Sequence, residues 1–215
     1  MGVRLLYHAC MIVADVIQGS EEWFAARCGV VTASNFGRVL TGGAGKTRAS
    51  YMRLLEQEIL TGARAASYEN EHMNRGRVLE PRARKAYEAL TGRSVREVGI
   101  VYLDGRKRIA ASPDGLIGED GGLEIKCPLP KTHYEYLCGD AAPARYKAQI
   151  QGNLWVTGRQ WWDFVSHAPE ESASRRTVIF RVHRDESYIQ LLKTEVMRFV
   201  EELDGLVSGQ RKVFA

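Results

Sequence analysis

The chain has 215 residues, of which 45% are hydrophobic and 26% charged, and it carries a formal net charge of +4. Those proportions suit one folded domain, residues 1–215, with a substantial core, and they exclude a disordered or low-complexity chain. A mild positive excess permits a polyanionic partner without requiring one, because a basic surface matters only where its charge is concentrated.

The four cysteines, Cys10, Cys28, Cys127 and Cys138, lack Cys-x-x-Cys spacing, and the five histidines never fall at zinc-ligand spacing. Buried free thiols in a reducing compartment are the expectation. The apolar run within residues 1–17 is broken by Arg4, His8 and Asp15 and has no cleavage-like end. No stretch approaches the roughly 20 apolar residues of a membrane helix. A cytoplasmic location without membrane contact is therefore expected.

In chain order, Ser20 followed by Glu21 and Glu22 predicts a capped helix over 20–27, with Arg27 at its end. A second start lies at Thr32-Ala-Ser34, leading into a helix through Leu40. The N–H groups of a helix start beside an arginine make a natural phosphate seat; taken alone, Arg27 reads as an ion-pair residue and Ser34 as a cap. The stretch Thr41 to Arg48 mimics a nucleotide-binding loop, but Leu40 stands where that pattern needs glycine, and the loop joins two helices. It reads instead as a flexible basic loop carrying Lys46 and Arg48. Ser50 to Leu60 is an amphipathic helix that puts Met52, Leu55 and Ile59 on one stripe and ends at Gly62.

After a polar stretch, Asn74 to Leu90 is helical in period, with Pro81 in its first turn or kinking it. Glu80 pairs with Arg77 or Arg84 on a solvated face, or its irregular helix aims it at a metal site. From Ser94 the period becomes two, which predicts a meander of antiparallel strands over 95–103, 108–112, 115–117 and 123–127. Within it, Asp114 lies at a strand edge, residues 119–122 turn the chain, and Glu124 and Lys126 share one face of the returning strand. Two carboxylates are the ligands hard divalent cations prefer, and a lysine beside them orients or deprotonates a water, or steadies negative charge. The hairpin therefore points to metal-dependent phosphodiester cleavage.

Helices follow at about 131–138 and 143–157, where Gln149 and Gln151 are the notable polar residues and either reads as an exposed helix former. Strands at 160–167 and 176–182 carry aromatics assigned to the core, and a last amphipathic helix starts at Asp185.

Pro113-Asp114 followed by Glu124-Ile125-Lys126 resembles the catalytic pattern of the restriction-endonuclease-like superfamily. The element order suggests its mixed α/β core, a central mixed sheet flanked by helices. The stretches Gln18 to Ser34, Arg75 to Pro81, Ser112 to Gly115, Gly122 to Pro128 and Ala148 to Thr157 together resemble the lambda-type (YqaJ) phage exonucleases over nearly the whole chain. That resemblance implies a 5′→3′ exonuclease on linear double-stranded DNA, releasing 5′-mononucleotides and leaving 3′ overhangs. It implies two magnesium ions, replaceable by manganese, held by Asp114, Glu124, the carbonyl of Ile125 and Glu80, with Lys126 positioning the attacking water. It favours Gln151 over Gln149 as the site glutamine, assigns a 5′-phosphate seat to Arg27, Ser34 and Ser112, and leaves Lys46 and Arg48 open as the loop's contribution. A homotrimeric ring, a single-strand annealing partner and the cytoplasm of a bacterial host complete the expectation. An endonuclease on the same core and a noncatalytic DNA-end-binding protein are the alternatives.

Overall fold

The computed structural model describes residues 11–41, 46–64 and 71–213, with the backbone alone described at 72, 73 and 211–213. The N-terminal apolar stretch through Cys10, the glycine-rich loop over 42–45 and the polar stretch over 65–70 lie outside the described residues.

Among these residues the expected central mixed sheet is realised as two four-stranded mixed sheets. In the first, β1 (Ile12–Ala14), β3 (Ile100–Tyr102) and β4 (Ile109–Ala111) run antiparallel, and β2 (Val31–Thr32) closes the far edge parallel to β4. In the second, β5 (Gly115–Ile117) and β6 (Gly121–Lys126) form the expected hairpin, β7 (Trp161–His167) pairs parallel to β6, and β8 (Thr177–His183) is antiparallel to β7. The predicted continuous meander is therefore broken between β4 and β5. Pro113 has no N–H to give a ladder, and the chain leaves one sheet for the other there. Ser112 and Asp114 stand on either side of that crossing.

The strand expected over 95–103 shrinks to Ile100–Tyr102. The carbonyls just before it are taken by side chains: Gln18 donates to Val98 O at 2.8 Å and the Trp23 indole to Gly99 O at 3.0 Å. A side chain at Gly99 would also strike the Val16 carbonyl, 2.1 Å from an ideal Cβ.

The helices are α1 (Glu21–Ala26), α2 (Phe36–Leu40), α3 (Lys46–Thr61), α4 (Glu71–Thr91), α5 (Pro130–Leu137), α6 (Lys147–Thr157) and α7 (Glu186–Val213). Ser20 caps α1 through Trp23 N, as expected, and Gly62 and Gly92 take the left-handed conformation after α3 and α4. Thr32 precedes a 3₁₀ turn, Ala33–Asn35, without making a side-chain cap bond. The final helix buries Ile189, Leu192, Val196, Phe199, Val200 and Leu203, and Trp162 and Phe164 of β7 are core residues, both as expected. Of the described cysteines all are free, but only Cys127 is buried; Cys138 is exposed and Cys28 half-buried.

Helix α6 is buried almost all round, with Ile150 through Thr157 inside, the signature of a central helix. It packs on the 3₁₀ turn and α2 on one side and on α7 and β4 on others. Gly152 makes that approach possible: an ideal Cβ there would sit 2.4 Å from the Phe36 ring.

Candidate active site

Asp114 reaches from the sheet crossing to β6, where its Oδ2 accepts the backbone N–H of Ile125 at 2.6 Å. On β6, Glu124 is 1% exposed. Its strand is interior to the sheet and its carboxylate is buried, so every lone pair needs a donor. Lys126 Nζ and Gln149 Nε2 both donate to Oε1, the latter at 2.7 Å, while Asn153 Nδ2 donates to Oε2 at 3.2 Å. Gln149 and Asn153 lie one helical turn apart on α6 and so present two amides to one carboxylate.

From α4, Glu80 lines the same cleft, and Arg84 one turn later pairs with it at 2.6 Å. The ion pair and the site role are thus compatible. Arg84 also donates to Asp114 O at 3.2 Å and pairs with Glu97 at 2.9 Å, tying α4 to the acid-bearing crossing. Pro81 sits inside α4, not at its start, and removes one rung of the ladder directly after Glu80.

The charges are unbalanced. Burial, then the Glu124 and Glu80 carboxylates, push the Asp114 carboxyl well above its ordinary range, with Lys126 only partly offsetting them. Burial likewise raises Glu80, opposed by Arg84 and reinforced by Glu124. Burial works against the Lys126 charge, yet the Glu124 and Asp114 carboxylates outweigh it and hold the ammonium above its ordinary value. Lys126 as it stands is a cation, suited to orienting a water or neutralising a phosphate oxygen.

A second cluster lies across the Pro113 crossing. Arg27 donates to Ser112 Oγ at 2.7 Å, to Thr32 Oγ1 at 3.3 Å and, more weakly, to Ser34 Oγ at 3.5 Å. The Trp23 indole lies under its guanidinium, 4.4 Å from the ring centroid, and Arg38 stacks on Tyr51 at 4.7 Å while bonding Asn35. Burial lowers Arg27 to about 10, so it stays charged at neutral pH. Its hydrogen-bond partners are hydroxyls, a cradle with positive charge still to satisfy. Arg27, Ser34 and Ser112 come together as expected. Thr32, Asn35 and Arg38 complete the cluster; the sequence marks Thr32 only as a helix start and assigns Asn35 and Arg38 no role.

Three expected residues fall elsewhere. Gln151 faces away from Glu124: it donates to His183 O at 2.8 Å and accepts from Asp185 N at 2.9 Å, joining β8 to α7. Two residues along a helix are about 200° apart, so only one of Gln149 and Gln151 can face β6. Arg48 is buried in α3, paired with Glu202 at 2.9 Å and stacked on Phe199, which accounts for its charge. Lys46 is exposed at the start of α3 and does not line the cleft.

Both clusters open into one cleft of ≈ 1200 Å³ whose lining includes Arg27, Arg38, Glu80, Asp114, Ile125 and Lys126. Among the described residues no three His, Cys, Asp or Glu side chains already stand as a metal cage. The Lys126 ammonium and two amides occupy the Glu124 oxygens. The donor chemistry nonetheless fits a hard divalent cation, with crowded carboxylates and two acids raised first by burial and then by neighbouring carboxylates. Among the described residues no helix is long and apolar enough to cross a membrane.

Residues 22–160 match the model of the YqaJ-like viral recombinase domain. An alkaline exonuclease (LHK-Exo) from Laribacter hongkongensis superposes with a TM-score of 0.84 at 39% identity, covering 90% of this chain and 97% of that one. The same enzyme in complex with dAMP gives 0.83 at 40% identity, again over 90% and 97%. A phage related exonuclease from Haemophilus somnus 129PT shares the fold, with a TM-score of 0.65 at 17% identity over 84% and 96% of the two chains. An uncharacterized protein, R354, of Acanthamoeba polyphaga mimivirus is 30% identical over 161 residues, 69% of this chain, and the match spans only 28% of that longer protein. The chain belongs to the YqaJ-like viral recombinase domain family, a kinship that supports a nuclease role.

Proposed function

We propose that the chain is a metal-dependent exonuclease, a single nuclease domain that degrades one strand of linear double-stranded DNA in the 5′→3′ direction and releases 5′-mononucleotides. The observation that carries this reading is the joining of an arginine–hydroxyl cradle and an acid–lysine cluster in one cleft, on either side of Pro113. The solved complex of the alkaline exonuclease relative with dAMP is consistent with a mononucleotide product.

In this mechanism Arg27, with Ser112, Thr32 and Ser34, holds the terminal 5′-phosphate. The next phosphodiester then lies over Asp114 and Lys126. Asp114, Glu124, the Ile125 carbonyl and Glu80 would hold divalent cations, magnesium or in its place manganese, which would supply positive charge to the attacking and departing oxygens. Gln149 and Asn153 fix the Glu124 carboxylate so that its oxygens keep one orientation. Lys126 keeps its proton at Nζ and presents the charge to a water or to a non-bridging phosphate oxygen. The water oxygen forms the new bond to phosphorus and gives up a proton to solvent, the bond to the O3′ of the terminal nucleotide breaks, and that O3′ takes up a proton from solvent. Backbone contacts without base contacts make the cut independent of sequence.

Successive cuts leave a 3′ single strand, the substrate for a single-strand annealing protein, and a homotrimeric ring around the duplex would keep the enzyme on its end. Both partners and a bacterial cytoplasmic setting belong to this proposal. A timed digestion of end-labelled linear duplex bearing 5′-phosphate or 5′-hydroxyl, beside a closed circle, tests it. Expected are mononucleotides from the phosphorylated 5′ end and an intact circle; comparable cutting of the circle would mean an endonuclease instead.

A further inference from the structure

Arg145 lies on the 3₁₀ turn Ala144–Tyr146 that leads into α6, and it lines the cleft that holds the acids. Its guanidinium stacks on two rings at once, 5.3 Å from the Tyr136 centroid and 5.1 Å from that of Tyr146. The Tyr146 ring is itself propped on Phe164 of β7, with centroids 5.0 Å apart, and it also faces the Lys126 ammonium at 5.4 Å. Arg145 is thus held beside the proposed cutting position by the same ring that touches the site lysine.

Two other arginines near the acids are already paired with carboxylates: Arg84 with Glu80 and Glu97, and Arg75, nearer the start of α4, with Glu170. Arg145 is exposed, and among the described residues it has no carboxylate partner. A planar guanidinium stacked on aromatic rings loses little freedom on binding and leaves its N–H edges for a phosphate. A lone exposed arginine is ordinarily a solvated charge; one that is stacked, uncompensated and in the cleft has an anion to meet.

We propose that Arg145 grips a backbone phosphate of the DNA on the lysine side of the acids, a second electrostatic hold distinct from the Arg27 cradle. This rests on the nuclease reading. Arg27 reads the chemistry of the strand end, whereas Arg145 meets a phosphate that every duplex has, whatever its end.

The test is equilibrium binding of a 5′-phosphorylated duplex at several salt concentrations, in chelator so that nothing is cut, for wild type and Arg145→Gln, Arg145→Lys and, as control, Arg198→Gln. Arg198 pairs with Glu195 on α7 and lies outside the cleft. Neutralising one phosphate fewer lowers the log–log salt slope by about 0.9. Arg145→Gln is expected to show that drop with an unchanged melting temperature, and to keep the wild-type preference for 5′-phosphate over 5′-hydroxyl in digestion. Arg145→Lys is expected to keep the slope and bind more weakly, having lost the planar stack. An unchanged slope in Arg145→Gln, whether or not the protein melts lower, would overturn the assignment while leaving the nuclease reading intact. Wild type that neither binds nor digests duplex would instead remove the reading on which it rests.

Discussion

The Gln149 amide donates to Glu124 Oε1 across 2.7 Å, from a helix that begins well after the strand it serves. Lys126 shares that oxygen, and Asn153 holds the other. Removing the Gln149 amide leaves a buried carboxylate one donor short and free to rotate. Gln149→Leu is expected to lower the turnover of linear duplex about 10- to 100-fold, the usual cost of losing a partner that orients a ligand. Gln151→Leu should act differently: losing its bonds to His183 and Asp185 lowers the melting temperature by the equivalent of about 1–3 kcal/mol and leaves turnover at low temperature as it was. A reversal of these two phenotypes would restore Gln151 to the site.

Asp114 provides a test of the metal. Its carboxyl is raised above the ordinary 3.8 by burial and by the neighbouring Glu124 and Glu80, so the folded state holds that proton more tightly than the unfolded chain does. Stability of the metal-free protein therefore falls as pH rises from about 3.8 toward the raised native value. On the proposed reading, magnesium would compete with that proton and supply the missing charge. Melting curves with and without magnesium should show a stabilisation that grows with pH. In Asp114→Asn the metal-free protein should melt higher than wild type at alkaline pH, and digestion should stop. A magnesium effect that is the same at every pH would count against metal binding at these acids.

Arg84 makes a second pH test. Burial raises Glu80 and Arg84 pulls it down. Arg84→Gln removes the opposing charge, so the Glu80 carboxyl rises further and ionises only at higher pH. A reaction that needs ionised Glu80 then loses activity from the acid side first. The pH dependence of kcat/KM should show its acid limb moved upward; an unmoved limb would leave Glu80 as a structural partner of Arg84 alone.

At the cradle, Arg27→Gln retains a polar group but loses the charge that faces Ser112, Thr32 and Ser34. A hydrogen bond to a charged group is worth about 1.5–3 kcal/mol. The mutant should lose roughly tenfold or more of any preference for 5′-phosphorylated over 5′-hydroxyl ends, read from paired digestions of otherwise identical duplexes.

The acid-bearing hairpin was legible because its chemistry is local: Asp114, Glu124 and Lys126 lie within a short stretch, and strand alternation sets their faces. The long final helix was legible for the same reason, its apolar period holding from Ile189 to Leu203. What could not be read was which of two helix faces turns toward β6. Both glutamines lie on a helix buried nearly all round, so no apolar stripe distinguishes one face from the other, and only the three-dimensional position of Glu124 selects Gln149. Arg48 misled for a related reason: its partner Glu202 lies 154 residues away, beyond any local pattern. The break at Pro113 was visible as a proline, but that it moves the chain between sheets depends on β2 and β1, two short strands with no alternation long enough to detect.

Gly152 carries a consequence for the product. With no side chain there, α6 lies hard against Phe36 and the turn that bears Ser34, while the same helix fixes Glu124 through Gln149 and Asn153. The proposed grip on the strand end and the proposed point of scission are thereby bolted to a common beam. On the proposed mechanism, the length of each released fragment is a dimension of the protein's own frame, and Gly152→Ala, by prising that beam away from Phe36, should blur the product from single nucleotides into a mixture.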